Sequence, residues 1–133
     1  FMVNADHITT SIDVVTSSPC VSDIKRMRVI LNNLLSNAIK YADVTKAEPC
    51  INVAVDVKKE MINISIKDNG IGVPADQLNK IFEMFYRATE KGAGSGLGLY
   101  IVKEAVAKLN GTLKVESVQY KGTTFTISIP NGV

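Results

Sequence analysis

A chain of 133 residues with 46% hydrophobic content holds one domain with a core of its own and is too short for two. A formal charge of +2, from Lys and Arg scattered along the chain, leaves no electrostatic footprint for nucleic acid. The apolar runs are only a few residues long, which excludes a membrane-spanning segment, and the N-terminus has no signal-peptide pattern.

From Ile8 to Val14, apolar and polar residues alternate, which predicts a strand with one buried face. His7, just before it, has no second ligand nearby and reads as a loop histidine. Cys20 and Cys50 show neither metal-ligand spacing nor the density of a disulfide scaffold, so reduced thiols and a cytoplasmic home are expected. After Pro19, Ser22 or Asp23 can cap a helix reaching to about Ala42, with Ile24, Met27, Leu31, Leu34, Leu35 and Ala38 on its core stripe. On another face, Asn33, Asn37, Lys40 and Tyr41 fall within an arc of about 100°. Asparagine is a poor helix former, and a pair of them one turn apart suits a ligand. An amide oxygen is a hard donor acceptable to Mg²⁺, and Lys40 can meet phosphate charge. An ordinary amide-rich exposed face would look the same.

Two alternations, Ile51 to Val57 and Ile62 to Ile66, form a hairpin with one apolar face. The second runs into Asp68-Asn69-Gly70-Ile71-Gly72. An ionised carboxylate accepts hydrogen bonds only, so Asp68 suits an exocyclic amine such as that of adenine and would reject a guanine carbonyl there. The same tripeptide is also ordinary turn chemistry. Pro74 starts a short helix expected over 75–80, followed by Phe82 and Phe85. Four of the nine glycines then fall in residues 92–98. The following pattern, Leu97, Ile101, Ala105 and Leu109 with Val102 and Val106 beside them, is helical. A glycine loop that opens a helix offers unpaired N–H groups to an anion. Neither the P-loop nor the dinucleotide pattern fits its spacing. Asn110-Gly111 stops the helix, and a second hairpin, Leu113 to Ser117 and Phe125 to Ile129, completes the order β-α-ββ-α-α-ββ. A mixed sheet with helices on one face follows.

In one order, Asn33-x-x-x-Asn37-x-x-Lys40-Tyr41, Asp68-x-Gly70-x-Gly72, Phe82-x-x-Phe85, Gly94-x-Gly96-x-Gly98 and Gly122-Thr123 resemble the N, G1, F, G2 and G3 boxes of the ATP-binding catalytic domain of bacterial sensor histidine kinases. The resemblance runs from about Ser22 to Pro130, and NNLLSNAIKYA and GSGLGLYIVK are its most specific parts. It implies an α+β fold, the two-layer α/β sandwich of Bergerat type shared with gyrase, Hsp90 and MutL, with a mostly antiparallel mixed sheet. It also implies ATP and Mg²⁺ as ligands.

On the matching positions, Asn37 resembles the metal ligand, Asn33 and Lys40 the phosphate-side contacts, and Tyr41 a wall near the base. Asp68 resembles the adenine-binding aspartate, with Gly70, Ile71 and Gly72 letting the nucleotide close in. Gly94, Ser95, Gly96, Leu97, Gly98 and Leu99 correspond to the phosphate loop, and Thr123 to the base-side threonine. Phe82 and Phe85 would anchor a lid, and Arg87 would reach the γ-phosphate.

One departure is informative. The hydrolytic members of the superfamily carry a glutamate base four residues before the metal-binding asparagine, where this chain has Asn33. An amide takes no proton at neutral pH, so slow hydrolysis is expected, with the γ-phosphoryl kept for another nucleophile. The lid between Arg87 and Gly94 is also shorter than in many relatives.

The function implied is phosphoryl transfer from Mg·ATP to a histidine on a helical dimerisation and phosphoacceptor domain, and onward to a response regulator. That acceptor domain is expected upstream of Phe1, in a longer and dimeric protein. The isolated piece is expected to be monomeric, without direct membrane contact, and His7 lacks the acceptor's helical context. The alternatives are an anti-sigma-factor-type serine kinase and a nucleotide-gated binding module or ATPase switch of the same fold.

Overall fold

A computed structural model describes residues 8–43, 45–83 and 97–132. Five strands form one sheet in the order β1-β2-β3-β5-β4. They are β1 (Thr9–Thr16), β2 (Cys50–Val57), β3 (Met61–Asp68), β4 (Thr112–Val118) and β5 (Gly122–Pro130). β1 runs parallel to β2, and every other pairing is antiparallel. Two helices, α1 (Ile24–Lys40) and α2 (Gly98–Lys108), pack against each other over the inner strands. This is the two-layer α+β arrangement expected. None of the described helices is long and apolar enough to cross a membrane.

The period-2 patterns put Ile62, Ile64 and Ile66 of β3 and Phe125, Ile127 and Ile129 of β5 on the helix side. There they meet Ile30, Leu34 and Ala38 of α1 and Val102 and Val106 of α2 in one buried cluster. The other face is polar and partly solvated, with Ser128 donating to Asn63 Oδ1 at 2.7 Å.

The helix ends have local causes. Asp23 is the N-cap of α1, accepting the N–H of Arg26 at 3.1 Å, and that bond holds its carboxyl below the ordinary aspartate range. After α2, Asn110 takes a left-handed φ of 59° and the N–H of Gly111 returns to the Val106 carbonyl at 3.0 Å.

Three expectations need correction. β1 has no buried face: Ile12 and Val14 are 64% and 58% exposed, because the helices cover the inner strands and stop short of this edge. On the helices, Ile24 is 69% exposed and Ile101 is exposed, while Ile30 and Val102 hold the centres of the buried stripes. A heptad of apolar residues contains more than one self-consistent stripe, and packing selects between them. The helix expected over 75–80 is a 3-10 turn, Ala75–Gln77, continued by further turns.

Ile127, fully buried between sheet and helices, should lose about 2 to 5 kcal/mol on change to Ala, by transfer and cavity terms together. Val15→Ala, on the exposed edge strand, should cost no more than about 1 kcal/mol. Urea unfolding of the two variants checks the contrast, and similar losses would mean that the edge is covered.

Candidate functional site

The site begins where β3 ends. Asp68 is the last residue of β3, opposite Ile51 on one side and Thr123 on the other. Its Oδ1 accepts the N–H of Gly70 at 2.8 Å. Burial pushes the carboxyl above the ordinary aspartate range, while the N–H groups of Gly70 and Thr123 and the charge of Lys46 pull the other way. Half-buried, the group is an oriented acceptor at the end of the sheet.

The chain then meets α1. The N–H of Ile71 donates to the carbonyl of Tyr41, the C-cap of α1, at 3.0 Å. A Cβ on Gly70 would lie 2.4 Å from that carbonyl oxygen and 2.9 Å from Asp68 Oδ1, so the joint closes only around glycine. The Ile71 carbonyl accepts the N–H of Tyr120 at 2.6 Å, tying the same loop to the β4–β5 turn. Gly72, at φ +67°, passes the Val118 carbonyl at a distance that excludes a side chain.

Thr123 is buried beside this joint. Its hydroxyl lies 2.8 Å from Ser117 Oγ, which also donates to the Gly122 carbonyl at 2.9 Å and accepts the N–H of Val73 at 2.8 Å. With the Ser117 proton on Gly122, Thr123 is the donor of the pair.

Midway along α1, Asn33 Nδ2 donates to the Val29 carbonyl at 2.7 Å. Its Oδ1 sits where a Cβ on Gly98 would come within 3.2 Å, so it faces the first residue of α2. The N-cap of that helix, Leu97, makes no side-chain capping hydrogen bond. Leu99 packs against the core. Asn37 lies one turn along α1 from Asn33 on the same face, and Lys40 lies in the last turn. From Asn33 to Tyr41 the axis advances about 12 Å at 1.5 Å per residue.

Phe82 contacts Phe125 edge-on, ring centroids 6.2 Å apart at 76°, and so is anchored in the core. Phe85, Arg87, Gly94, Ser95 and Gly96 lie outside the described residues. Among the described residues no cluster of His, Cys, Asp and Glu could hold a metal. A divalent ion would rely on the amide oxygen of Asn37, completed by phosphate and water, a mode that Mg²⁺ accepts.

Sequence reasoning missed three contributors. Ser117 orients Thr123 across two strands, which no local pattern reveals. Lys46 bears on Asp68 from a loop far away in the chain. Asn69 pins the loop before β2, accepting the N–H of Cys50 at 2.8 Å and donating to the Glu48 carbonyl at 2.9 Å. Its place in Asp-Asn-Gly was the available signal, since Asn commonly bonds nearby backbone in turns.

The half-buried carboxylate at the end of β3, the glycines that admit close approach after it and the amide-bearing α1 facing the start of α2 are the parts of the candidate site. Residues 22–133 match the family of histidine kinase-, DNA gyrase B- and HSP90-like ATPases, and the chain belongs to that family. It is 38% identical over 112 residues to the sensor histidine kinase WalK of Bacillus subtilis (strain 168), covering 81% of this chain and 18% of that protein. It is 35% identical over 114 residues to the aerobic respiration control sensor protein ArcB of Escherichia coli (strain K12), covering 82% of this chain and 14% of that one. The chain therefore spans less than a fifth of the length of these relatives.

Among solved structures, the mycobacterial sensor histidine kinase MprB superposes with a TM-score of 0.79 at 28% identity, covering 95% of this chain and 85% of that one. Full-length ShkA in complex with AMPPNP gives 0.82 at 26%, covering 98% and 27%.

Two outcomes test the site. Gly70→Ala should force the Tyr41 carbonyl and Asp68 apart, costing about 1 to 3 kcal/mol in urea unfolding; an unchanged midpoint would show that the joint yields freely. Asp68 retains its proton to higher pH when folded than when unfolded. Its favourable contribution is therefore full below the unfolded pKa and is lost as pH rises through the folded one. Asp68→Asn does not titrate. The unfolding free energy of this variant minus that of the parent should rise across that window, and a flat difference would mean a solvated carboxyl.

Proposed function

We propose that this domain binds Mg·ATP and presents the γ-phosphoryl to a histidine on a separate helical dimerisation and phosphoacceptor domain, from which a response regulator is phosphorylated. The observation that carries the reading is the half-buried acceptor Asp68, joined through Gly70 and Ile71 to the same helix that presents Asn33 and Asn37. Adenine would offer its amine to Asp68, with Thr123 alongside. The phosphates would lie toward Gly98 and the start of α2, near Asn33, Lys40 and Asn37. Bound through Asn37, Mg²⁺ would neutralise phosphate charge. Gly94, Ser95, Gly96, Leu97 and Leu99 complete the loop by resemblance, and Arg87 is assigned to the γ-phosphate on the same ground.

Asn33 supports transfer over hydrolysis. Its Nδ2 is already bonded within α1 and its Oδ1 accepts no proton at neutral pH, so it cannot activate water. Positioning and charge neutralisation are what a loose phosphoryl-transfer transition state needs from a protein. The similarity to sensor histidine kinases favours a histidine acceptor over the serine of anti-sigma-factor-type kinases.

With the chain alone, ATP should outcompete GTP, and Asp68→Asn should weaken ATP about tenfold or more, as expected for losing a charge-assisted hydrogen bond. Asn37→Ala should remove the Mg²⁺-dependent part of the affinity and spare binding in chelator. Incubated with labelled ATP, the chain should remain unlabelled at His7 and should label an added phosphoacceptor domain. Equal competition by GTP would overturn the Asp68 assignment. Steady ATP turnover indifferent to Asn33→Ala would point instead to an ATPase switch.

A further inference from the structure

The loop between α1 and β2 is fastened around one side chain, that of Asp68. At its start the Tyr41 carbonyl accepts the N–H of Ile71 at 3.0 Å. At its end Asn69 accepts the N–H of Cys50 at 2.8 Å and donates to the Glu48 carbonyl at 2.9 Å. Between these ties, the ammonium of Lys46 donates to the Lys121 carbonyl in the β4–β5 turn at 3.3 Å. The loop is thus bonded to both residues that follow Asp68 most closely in the turn and to the segment that leads into the strand beside it.

That segment closes on Asp68 from the other side. Thr123 pairs with Asp68, and Gly122 passes so near the Asp68 carbonyl that a Cβ there would have no room. Lys121 immediately precedes this contact, so the carbonyl that holds Lys46 belongs to the turn packed on the end of β3. The path of the loop toward it is set locally. The N–H of Lys46 donates to the Asp43 carbonyl at 3.1 Å, and the N–H of Thr45 to the buried Asp43 carboxylate at 3.0 Å.

Burial opposes charge on Asp68, while the N–H groups of Gly70 and Thr123 and the charge of Lys46 favour it. The segments bonded here also carry Tyr41, Asp43, Glu48, Cys50, Tyr120 and Lys121, and among the described residues Lys46 is the one whose charge bears on Asp68. The protonation state decides what the site can select. An ionised carboxylate only accepts, whereas a protonated one also offers an O–H, which a base carbonyl could take as readily as its acceptors take an amine.

We infer that Lys46 is a specificity-determining positioning residue of the base site: strapped across the end of β3 by the Lys121 carbonyl, its ammonium holds Asp68 as the acceptor-only group that selects an amine-bearing base. The inference rests on the nucleotide-binding reading above.

The ratio of GTP to ATP dissociation constants tests it, because the protonation of the shared triphosphate cancels. In the parent this preference for ATP should be constant near neutral pH and decline as pH falls through the Asp68 titration. Lys46→Gln removes the charge and keeps a donor, and it should move the decline to higher pH, lowering the preference about two- to fivefold within that window and leaving it at the parent value above it. Lys46→Arg keeps the charge and should follow the parent. In the nucleotide-free chain, carboxyl NMR, with Asp68 assigned through Asp68→Asn, should show the Asp68 midpoint raised by Lys46→Gln and unmoved by Lys46→Arg. An Asp68 midpoint indifferent to Lys46→Gln, a preference lowered equally at every pH, or Lys46→Arg behaving as Lys46→Gln would overturn the inference while the parent's preference for ATP still stood. A parent without that preference would overturn the base-site reading, and this inference with it.

Discussion

The structure hinges on one hydrogen bond, from the Ile71 N–H to the Tyr41 carbonyl. It joins the loop after β3 to the end of α1. Because a Cβ on Gly70 would press into the same oxygen, the bond exists only with glycine there. The residues around this joint are tied together through it: Asp68 at the end of the strand, Thr123 across the ladder, and Tyr120 through the Ile71 carbonyl. Asn37 and Asn33 are positioned by α1 itself, whose axis carries the register back from Tyr41. A helix is stiff over the two turns between them, so Asn33 and the joint at Tyr41 are held at a set separation.

Burial at this joint has opposite effects on its two kinds of group. For the isoleucines of β3 and β5 it is favourable, and they form the centre of the core. For Asp68, continuing the same strand, it disfavours the charged form, and two backbone N–H groups and Lys46 offset part of that cost. A carboxylate partly stripped of water and still held by donors is well placed to gain from a ligand amine.

The helix layer shapes the rest of the molecule by what it leaves bare. α1 and α2 cover the inner strands and leave β1 flanked by solvent on both faces. Both edges of the sheet lie two strands from β3, the strand that ends at Asp68.

The sequence by itself determined the strands and the two helices, and it nominated the candidate site residues. Period-2 and helical patterns follow from local geometry, and Asp68, Gly70, Asn33 and Asn37 stand in spacings that chemistry can read without coordinates. It also carried the family, through ordered motifs that the comparison with known proteins bore out. Tertiary structure alone decided which stripe of each helix is buried, so that Ile30 and Val102 are inside while Ile24 and Ile101 are not. It alone showed that β1 is a bare edge, that Ser117 orients Thr123, and that Lys46 acts on Asp68. These depend on which surfaces meet across long separations in the chain, and local periodicity holds no record of what an amphipathic face will find opposite it.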